Sequence, residues 1–364
     1  MAISHHAVRR RRHVARVAAV AAIVTLGACT SLHHTTASTP TPAAGVSSTV
    51  SRPAGTAPAG TAPARGRPAD GTVVAEPNQG MGVVYTFMAS ATRTLDMTMY
   101  ELADRHAEQI LETDAAHGVD VRVLLDRAYH GGSVNQAAYS ALTTHGVHVA
   151  WANPSTIFHQ KTITVDNAES AIMTGNLTAE YYPTTRNFVV FDTVPADITA
   201  IVAAFNHDYT GANPNAGAAG SGDLVWSPHA TSALVALISS ATTSLDVESG
   251  EMRDRTVTAA LVAAARRGVD VRIAMEASAT WDPAFNQIVA AGGHVALYSS
   301  AHGLYIHAKA IVVDQRTVWI GSQNFSYASL HYNRELGIVL HGSDVGQVAA
   351  TVNADFAGGT TYHG

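Results

Sequence analysis

The chain repeats part of its own sequence at a nearly constant offset, and this duplication limits its fold more strongly than any other feature. Residues 94–97 reappear with small changes as residues 244–247, and residues 118–123 reappear as residues 268–273. Both matches are separated by 150 positions. Because a unit of this length can hold several strands and helices, we predict two related lobes.

A segment rich in glycine, alanine and asparagine separates the two copies. Residues 211–222 carry no apolar periodicity, which is typical of a linker. The predicted first lobe is residues 71–210 and the predicted second lobe is residues 223–364. Since both copies lie in one chain, we expect the protein to act as a monomer.

Each lobe shows apolar runs that alternate with a helical pattern, which predicts an α/β fold. A helix that ends at Gly118 or Gly268 follows the first strand of its lobe. The later strands are joined by segments too short for a crossover helix, so we expect mixed sheets flanked by helices. The predicted strands are residues 95–100, 121–125, 163–165 and 188–191 in the first lobe and 245–248, 271–275, 310–313 and 336–340 in the second.

The N-terminus has the pattern of an export signal. Arginines at positions 9–12 and 16 precede an apolar run over residues 17–26, which is about half of the ~20 residues that a membrane span needs. The run ends in Leu-Gly-Ala-Cys29, which resembles a bacterial lipobox. We therefore predict a signal peptide over residues 1–28 and a lipidated Cys29, with an ordinary secretory signal as the alternative. Cys29 is the only cysteine in the chain.

The segment that follows is predicted to be a tether. Residues 29–70 consist mainly of threonine, proline, alanine and glycine, and a five-residue unit that begins at Gly55 repeats at Gly60. Such a composition favours a flexible linker over a packed domain. The sequence therefore predicts an exported, extracytoplasmic protein that is anchored to the cell membrane by lipid or, failing that, secreted.

The charge of the mature chain argues against a general nucleic-acid-binding surface. Without residues 1–28, 17 basic and 28 acidic side chains remain, which gives a formal charge of −11. Proteins that bind nucleic acid through phosphate contacts usually carry a basic face. A local basic site is still compatible with this composition.

One short motif occurs once in each lobe and contains the only two lysines of the chain. Its members are His159, Lys161 and Asp166 in the first lobe and His307, Lys309 and Asp314 in the second. Along a strand, residues two apart point to the same side, so each histidine and lysine can contact one ligand. We expect the two aspartates of this motif set to stabilise the end of the strand and not to contact phosphate.

A hydroxyl and an amide follow each motif at equal distances. These predicted phosphate ligands are Thr174 and Asn176 in the first lobe and Ser322 and Asn324 in the second. Lysine supplies positive charge to phosphate oxygens, and hydroxyl and amide groups supply neutral donors. Histidine acts as a nucleophile or as an acid near neutral pH. The set suits a phosphodiester, and two lysines can neutralise it without a metal or another cofactor.

These motifs resemble the signature of the phospholipase D superfamily, two H-x-K-x4-D motifs with a downstream Gly-Ser-x-Asn. The resemblance covers residues 71–362. It implies that both motifs meet in one site between the lobes, where one histidine forms a phosphohistidine and the other protonates the leaving alcohol. The second lobe matches fully from Gly321 onward. The first lobe has Met173 at the glycine position, so we expect a slightly altered turn there without loss of activity.

Glu335 occupies a position where relatives carry a carboxylate that orients a catalytic histidine, in some cases the histidine of the opposite lobe. Its first-lobe counterpart is Asn187. If the crosswise pattern holds, the resemblance implies that Glu335 supports His159 as the nucleophile and leaves His307 as the general acid and base. The alternative is that Glu335 is a solvated surface charge.

The sequence favours an exported phospholipase D that hydrolyses or transfers the headgroup of glycerophospholipids, with phospholipid and membrane as its partners. The membrane tether and the acidic charge favour lipid over nucleic acid. The main alternative is a metal-independent endonuclease or phosphodiesterase of the same superfamily. A transphosphatidylase of the cardiolipin synthase kind and a catalytically silent binding module are further alternatives; the complete motifs argue against the silent module.

Overall fold

The computed structural model describes residues 73–364 except residues 130, 216 and 343. The predicted signal peptide, Cys29 and the predicted tether lie outside the described residues. The described chain contains two large mixed sheets with helices packed against them. The α/β class and the two-lobed arrangement predicted from the repeat are therefore confirmed.

The first lobe begins at a strand and ends in a long helix. In chain order its elements are β1 (Val73–Glu76), α1 (Gly82–Met88), β2 (Thr94–Met99), β3 (Leu102–Ala103), α2 (Arg105–Ala116), β4 (Asp120–Leu125), α3 (Gly131–Val134), α4 (Gln136–Thr144), β5 (His148–Trp151), β6 (Lys161–Val165), β7 (Glu169–Met173), β8 (Leu177–Thr178), β9 (Thr185–Asp192) and α5 (Pro195–Tyr209). Strands β2, β4 and β5 pair in parallel, whereas β6, β7, β9 and β1 continue the sheet antiparallel.

The second lobe repeats this plan. Its elements are β10 (Leu224–Ser227), α6 (Thr231–Ser240), β11 (Ser244–Glu248), α7 (Arg255–Arg266), β12 (Asp270–Glu276), α8 (Asp282–Ala290), β13 (His294–Tyr298), β14 (Tyr305–Ile306), β15 (Ala310–Val313), β16 (Thr317–Gly321), α9 (Tyr327–His331), β17 (Glu335–His341), α10 (Asp344–Gly358) and β18 (Thr360–Thr361). The strand order of its sheet is β10-β17-β16-β15-β11-β12-β13-β18.

Local sequence explains the crossover helices that separate the parallel strands. Asp104 caps α2 by accepting hydrogen bonds from the backbone of the first turn, and Asp254 caps α7 in the same way. Both helices are followed by a glycine with a positive φ, 88° at Gly118 and 89° at Gly268, a conformation that glycine adopts without steric cost. The helices predicted to end at these glycines are therefore present.

Met173 stands where the second lobe has Gly321, and the pairing register is nevertheless the same in β7 and β16. The substitution therefore leaves the strand pairing unchanged. A Cβ on Gly321 would lie 2.6 Å from the ring of Trp319. The first lobe has Ala171 at the position that corresponds to Trp319, so Met173 fills space that the indole fills in the second lobe. The volume of the neighbouring side chain accounts for the substitution.

Each lobe has a hydrophobic core of its own, and the two lobes also share a third hydrophobic core. The shared cluster contains Phe188 of β9 and Ala310 and Ile338 of the second sheet, together with Trp226. Phe188 is fully buried there, and complete burial of such a side chain contributes about 1.5–3 kcal/mol relative to exposure. The two sheets therefore meet through close-packed apolar side chains.

Two buried ion pairs cross from one lobe to the other in a reciprocal pattern. Arg334 of the second lobe lies 2.6 Å from Asp208 of α5, and Arg186 of the first lobe lies 2.5 Å from Asp355 of α10. Each arginine directly precedes a residue of the candidate site. Since an unpaired buried charge is costly, these exchanged pairs hold the lobes in one relative position.

Among the helices of the described residues, none combines the length and the apolarity that a membrane span requires.

Candidate active site

Backbone pairing brings each motif against the opposite lobe. Strand β14, which directly precedes His307, pairs in parallel with β9 at Thr185 and Arg186. Phe158, which directly precedes His159, forms a parallel bridge with Arg334. Each histidine therefore follows a segment that is paired with the opposite lobe. The partner segment leads to the side chain that contacts that histidine, which is Asn187 for His307 and Glu335 for His159.

His159 is oriented by two acceptors from the second lobe. Its Nδ1 atom lies 2.8 Å from Oε2 of Glu335 and 3.1 Å from the backbone oxygen of Ser322. Because both partners only accept hydrogen bonds, Nδ1 carries the proton and Nε2 of the neutral ring has a free lone pair. Glu335 is fully buried, which rules out the alternative of a solvated surface charge.

Glu335 is itself held in place by two donors. Its Oε1 atom accepts a hydrogen bond from the hydroxyl of Ser329 and another from the amide of Asn333 at 3.0 Å. Burial acts to raise the pKa of Glu335, but the charge and hydrogen bond of His159 and the charge of Lys161 lower it below its ordinary value. The carboxylate is therefore ionised at neutral pH.

His307 has a neutral partner at the corresponding position. Its Nδ1 atom lies 2.9 Å from Oδ1 of Asn187, which also accepts a hydrogen bond from the hydroxyl of Thr174 at 2.9 Å. That hydroxyl accepts from the backbone N–H of Phe188, so its own proton must point to Asn187. The amide oxygen of Asn187 consequently faces His307, and Nε2 of the neutral histidine accepts from Nζ of Lys309 at 3.1 Å.

The two lysines are enclosed behind the histidines. Lys161 is 1% exposed and Lys309 is fully buried. Each Nζ atom donates to the backbone oxygen of its own histidine, at 2.5 Å for Lys161 and 2.6 Å for Lys309. A substrate oxygen must therefore replace the Nζ contact with Nε2 of His307 before this histidine can handle a proton.

The pKa values of both lysines are lowered by their enclosure. Burial, followed by the charge of Lys309, lowers the pKa of Lys161 well below its ordinary value. Burial also lowers the pKa of Lys309 to about 7, although Glu335 and Glu251 act in the opposite direction. An anion that enters between the two ammonium groups relieves this repulsion.

Both histidines are neutral in the substrate-free protein. Burial and then the charge of Lys161 lower the pKa of His159 to about 4, and Glu335 offsets only part of this effect. Burial and the charges of Lys309 and Lys161 lower the pKa of His307 well below its ordinary value. A neutral His159 is the form that can attack phosphorus.

A second pair of carboxylates holds the segments that lead into the histidines. Asp126, at the end of β4, accepts a hydrogen bond from the backbone N–H of Phe158 at 2.7 Å. Glu276, at the end of β12, accepts from the backbone N–H of Ile306 at the same distance. Sequence reasoning missed both residues, although they stand 150 positions apart at the ends of equivalent apolar strands.

The predicted phosphate ligands fall into two groups, the hydroxyls and the amides. Thr174 and Ser322 are fully buried, as Lys309 is, and their hydroxyls contact the backbone of a neighbouring strand. Ser322 accepts a hydrogen bond from the backbone N–H of Leu336 at 3.2 Å, as Thr174 does from Phe188. The two hydroxyls thus hold the backbone of Phe188 and Leu336, the residues that directly follow Asn187 and Glu335.

The two amides do reach the cavities beside the site. Asn176 and Asn324 are partly exposed; Asn176 lines the same cavity as His307, and Asn324 lines the same cavity as His159. Asn176 donates to Oε2 of Glu101 at 2.8 Å. A Cβ on Gly250 would lie 2.7 Å from Oδ1 of Asn324, so the glycine makes room for this amide.

Asp166 and Asp314 lie away from the lysines, at the far ends of β6 and β15. Asp166 accepts from the backbone N–H groups of residues 92–94, and Asp314 does the same for residues 242–244. Burial acts to raise the pKa of Asp314, but its hydrogen bonds with Thr242 and its neighbours lower it. These aspartates stabilise the fold, as expected from the sequence, and have no contact with the reacting groups.

Two separate cavities adjoin the site, one lined by His307 and the other by His159. The His307 cavity has a volume of about 470 Å³, and the His159 cavity has a volume of about 690 Å³. Besides its histidine, the His307 cavity is lined by Glu101, Tyr181, Tyr182 and Tyr305, and the His159 cavity by Tyr129, Glu251, Arg253 and Tyr327. Within the described part of the chain, no group of three histidine, cysteine or acidic side chains is placed to hold a metal ion.

Two copies of one family model, described as the PLD-like domain of cardiolipin synthase, match residues 84–209 and 234–358. The chain belongs to this family. The match confirms the resemblance to the phospholipase D superfamily that was inferred from the two histidine–lysine motifs. No curated protein sequence matches the chain significantly.

Solved structures resemble the chain in fold. A polyphosphate kinase from Porphyromonas gingivalis aligns with a TM-score of 0.61 at 13% identity, over 78% of this chain and 50% of that one. A phosphatidylserine synthase from Haemophilus influenzae aligns with a TM-score of 0.57 at 12% identity, over 76% and 82%. The chain thus spans about half the length of the kinase. Nuc, a phospholipase D family member from Salmonella typhimurium, aligns over 39% of this chain and 97% of that one at 27% identity and a TM-score of 0.36.

Family membership indicates the general enzyme class. Members of the phospholipase D superfamily are phosphodiesterases or transferases, and the chain belongs to a family of PLD-like domains. Its two lobes each contribute one complete histidine–lysine pair to the candidate site.

Proposed function

We propose that this protein is a phospholipase D that cleaves or transfers the headgroup of glycerophospholipids through a phosphohistidine on His159. The observation that carries the proposal is the bond between Nδ1 of His159 and the buried carboxylate of Glu335 at 2.8 Å. It leaves Nε2 free as a nucleophile and stabilises the positive ring that forms during attack.

The first step joins His159 to phosphorus. Nε2 of His159 attacks, the bond from phosphorus to the headgroup oxygen breaks, and that oxygen takes a proton from His307. Lys161 and Lys309 balance the charge of the phosphate oxygens, and the anion in turn raises the pKa of His307, so that it can carry the proton it donates.

The second step restores the enzyme. His307, now neutral, accepts a proton from water or from an acceptor alcohol as its oxygen attacks phosphorus. The bond between phosphorus and Nε2 of His159 breaks, and the product is phosphatidic acid or a new phosphatidyl alcohol. Asn187 keeps Nδ1 of His307 protonated in both steps, so Nε2 is the atom that exchanges the proton.

The chemistry of the two cavities supports a lipid substrate. Five tyrosines are among the exposed large hydrophobic side chains of the described residues, and four of them line the cavities. Tyrosine is enriched at membrane–water interfaces because one end of it is apolar and the other is polar. Arg253 is the single lysine or arginine among the lining residues, which is a poor match to the many phosphates of a nucleic acid or polyphosphate.

We also propose that the protein is exported, anchored to the membrane by a lipid on Cys29, and monomeric. The supporting features are the lipobox-like sequence, the tether that follows it and the presence of both motifs in one chain. Cys29→Ala should release the protein from membranes into the soluble fraction. Unchanged membrane association of this variant would overturn the lipid anchor.

One assay tests the proposed activity. Purified protein is offered phosphatidylcholine, phosphatidylethanolamine and DNA side by side, with ethanol as the acceptor that traps the covalent intermediate as phosphatidylethanol. We expect free headgroup and phosphatidylethanol from the lipids, with and without EDTA, and neither product from His159→Ala. Cleavage of DNA with intact lipids would instead establish the nuclease alternative.

A further inference from the structure

The beginnings of α7 and α8 enclose a further cavity, the α7–α8 groove, with a volume of about 520 Å³. Among the described residues that line it, Arg253 and Arg255 are the charged ones, and both are exposed. Arg253 also lines the His159 cavity, so the groove and that cavity adjoin. The groove therefore presents positive charge to solvent directly beside the candidate active site.

The repeat shows that this charge belongs to the second lobe alone. The first-lobe counterpart of Arg255 is Arg105, which forms ion pairs with Glu108 and Glu112 at 2.8 Å each. At the positions of these two carboxylates the second lobe has a threonine, residue 258, and a valine, residue 262. Arg255 therefore lacks both of the acidic partners that neutralise Arg105.

The other arginine of the groove stands where the first lobe has an uncharged residue. The first-lobe counterpart of Arg253 is Ala103. Burial raises the pKa of Glu251 in the His159 cavity, and the charge of Arg253 acts in the opposite direction, so part of this charge is directed into that cavity. At the equivalent positions, one cation and two carboxylates of the first lobe thus correspond to two cations and no carboxylate in the second.

Exposed aromatic rings accompany these cations. Tyr129 is 81% exposed and Tyr327 is 58% exposed, and both line the His159 cavity together with Arg253. Tyrosine rings suit the boundary between lipid headgroups and acyl chains, and arginine pairs with phosphate. Because the whole chain has a formal net charge of −6, anionic lipid repels it on balance, and only a locally basic face can approach such a surface.

We propose that the α7–α8 groove binds the headgroup phosphate of an anionic phospholipid that is not the substrate, and that this contact turns the opening of the His159 cavity toward the membrane. The contact goes beyond the proposed reaction, because neither histidine lines the groove. Each arginine close to an anionic membrane strengthens binding by about fivefold. Two arginines are too few to retain the protein on a membrane by themselves, so they orient a body that the N-terminal anchor holds there.

Vesicle sedimentation of the full chain with Cys29→Ala and His159→Ala tests this contact. The double variant has neither the proposed anchor nor the proposed nucleophile, so the result does not depend on turnover or on the proposed function. At about 0.1 M salt, where repulsion beyond ~10 Å is screened, we expect partition into phosphatidylcholine vesicles that contain phosphatidylglycerol to exceed partition into pure phosphatidylcholine by about tenfold. Equal partition into both kinds of vesicle would overturn the proposal.

Substitutions in this background locate the charge. Arg255→Gln should lower binding to the anionic vesicles about fivefold and leave binding to the neutral vesicles unchanged. Val262→Glu keeps both arginines and restores a carboxylate that pairs with Arg105 in the first lobe, so it should weaken binding to the anionic vesicles to a similar extent.

Arg105→Gln is the matched control because it removes the equivalent arginine of the first lobe. It should bind both kinds of vesicle as the parent does. An equal loss in Arg105→Gln, or no loss in Arg255→Gln, would overturn the assignment of the site to the groove. Tyr327→Ser should lower binding to both kinds of vesicle, since it removes an apolar ring and no charge. Unchanged binding of that variant would overturn the orientation of the His159 cavity.

Inorganic phosphate and a single-stranded oligonucleotide distinguish the source of the bound phosphate. Neither should displace the parent protein from the anionic vesicles more than sodium chloride of the same ionic strength does. Stronger displacement that disappears in Arg255→Gln would assign the groove to free phosphate or to nucleic acid and overturn the lipid as its ligand.

Discussion

Nδ1 of His159 lies 2.8 Å from the carboxylate of Glu335, although the two residues are 176 positions apart and belong to different lobes. The equivalent bond of the other histidine, from His307 to Asn187, also crosses between the lobes and ends on a neutral amide. One histidine is therefore paired with a charge and the other is not. This difference makes the two halves of a nearly symmetric site chemically unequal.

The roles of the histidines can be separated with an activated leaving group. His159→Ala and His307→Ala should each lower cleavage of phosphatidylcholine by about 10²–10⁴-fold or more. With a p-nitrophenyl phosphodiester the leaving group needs no proton, so His307→Ala should release one equivalent of nitrophenolate in a burst and then stall as the phosphohistidine. His159→Ala should give no burst. A burst from His159→Ala and none from His307→Ala would reverse the assignment.

Glu335→Gln tests the charge behind the nucleophile. The amide keeps the size of the side chain but no longer stabilises a positive His159, so we expect kcat to fall by about 10²–10⁴-fold with little change in KM. The matched variant Asn187→Asp adds a carboxylate to His307 and should raise the pKa of that histidine without a comparable loss. Wild-type turnover in Glu335→Gln would contradict the role of this carboxylate.

The pH dependence of kcat/KM should report the free enzyme. His159 must be neutral to attack, so activity falls as the pH drops through its pKa of about 4. Lys309 must be protonated to hold phosphate, and His307 must take up a proton to donate it to the leaving oxygen, so activity also falls as the pH rises, in part through the Lys309 pKa of about 7. In the pH profile of kcat, the decrease at alkaline pH should move to higher pH, because bound phosphodiester favours the charged form of Lys309. A kcat/KM that stays flat up to pH 9 would contradict the lowered pKa of Lys309.

The exchanged ion pairs should matter for stability. Arg334→Met leaves the buried carboxylate of Asp208 without its partner, and we expect the free energy of unfolding to fall by about 3–5 kcal/mol in urea titrations. Replacing both residues by apolar ones should recover most of this loss. Arg105→Met, which removes a half-exposed arginine from its pairs with Glu108 and Glu112 on α2, is the surface control and should have a smaller effect. An equally small effect of Arg334→Met would argue against the buried pair.

The sequence predicted those parts of the molecule whose signal is local or repeated. Apolar runs located β4 and β12, the glycines after α2 and α7 located the helix ends, and the duplicated motif located the two histidine–lysine pairs. Strands β7 and β16 are not evident from the sequence because Ser170, Thr317 and their neighbours interrupt the apolar run at a hairpin. In the hairpin before β7 the turn contains two residues with positive φ, Asp166 and Asn167, which only the structure reveals.

The surroundings of the site could not be predicted because they depend on the pairing of the two lobes. Thr174 and Ser322 have the spacing of phosphate ligands, but the ends of β7 and β16 turn their hydroxyls into the protein. Asp126 and Glu276 act on backbone groups that approach only after the strands have paired. No local pattern distinguishes such a carboxylate from one that caps a loop.

The reciprocal pairs of Arg186 with Asp355 and Arg334 with Asp208 also bear on how substrate arrives. A two-lobed enzyme often opens about a hinge, but here a hinge motion would expose four buried charges at once. Reactants and products must instead move through the side openings of a rigid frame. No motion of the lobes should then make turnover depend on solvent viscosity. The slow step apart from the chemistry becomes the passage of a lipid between the lipid–water interface and a fixed opening.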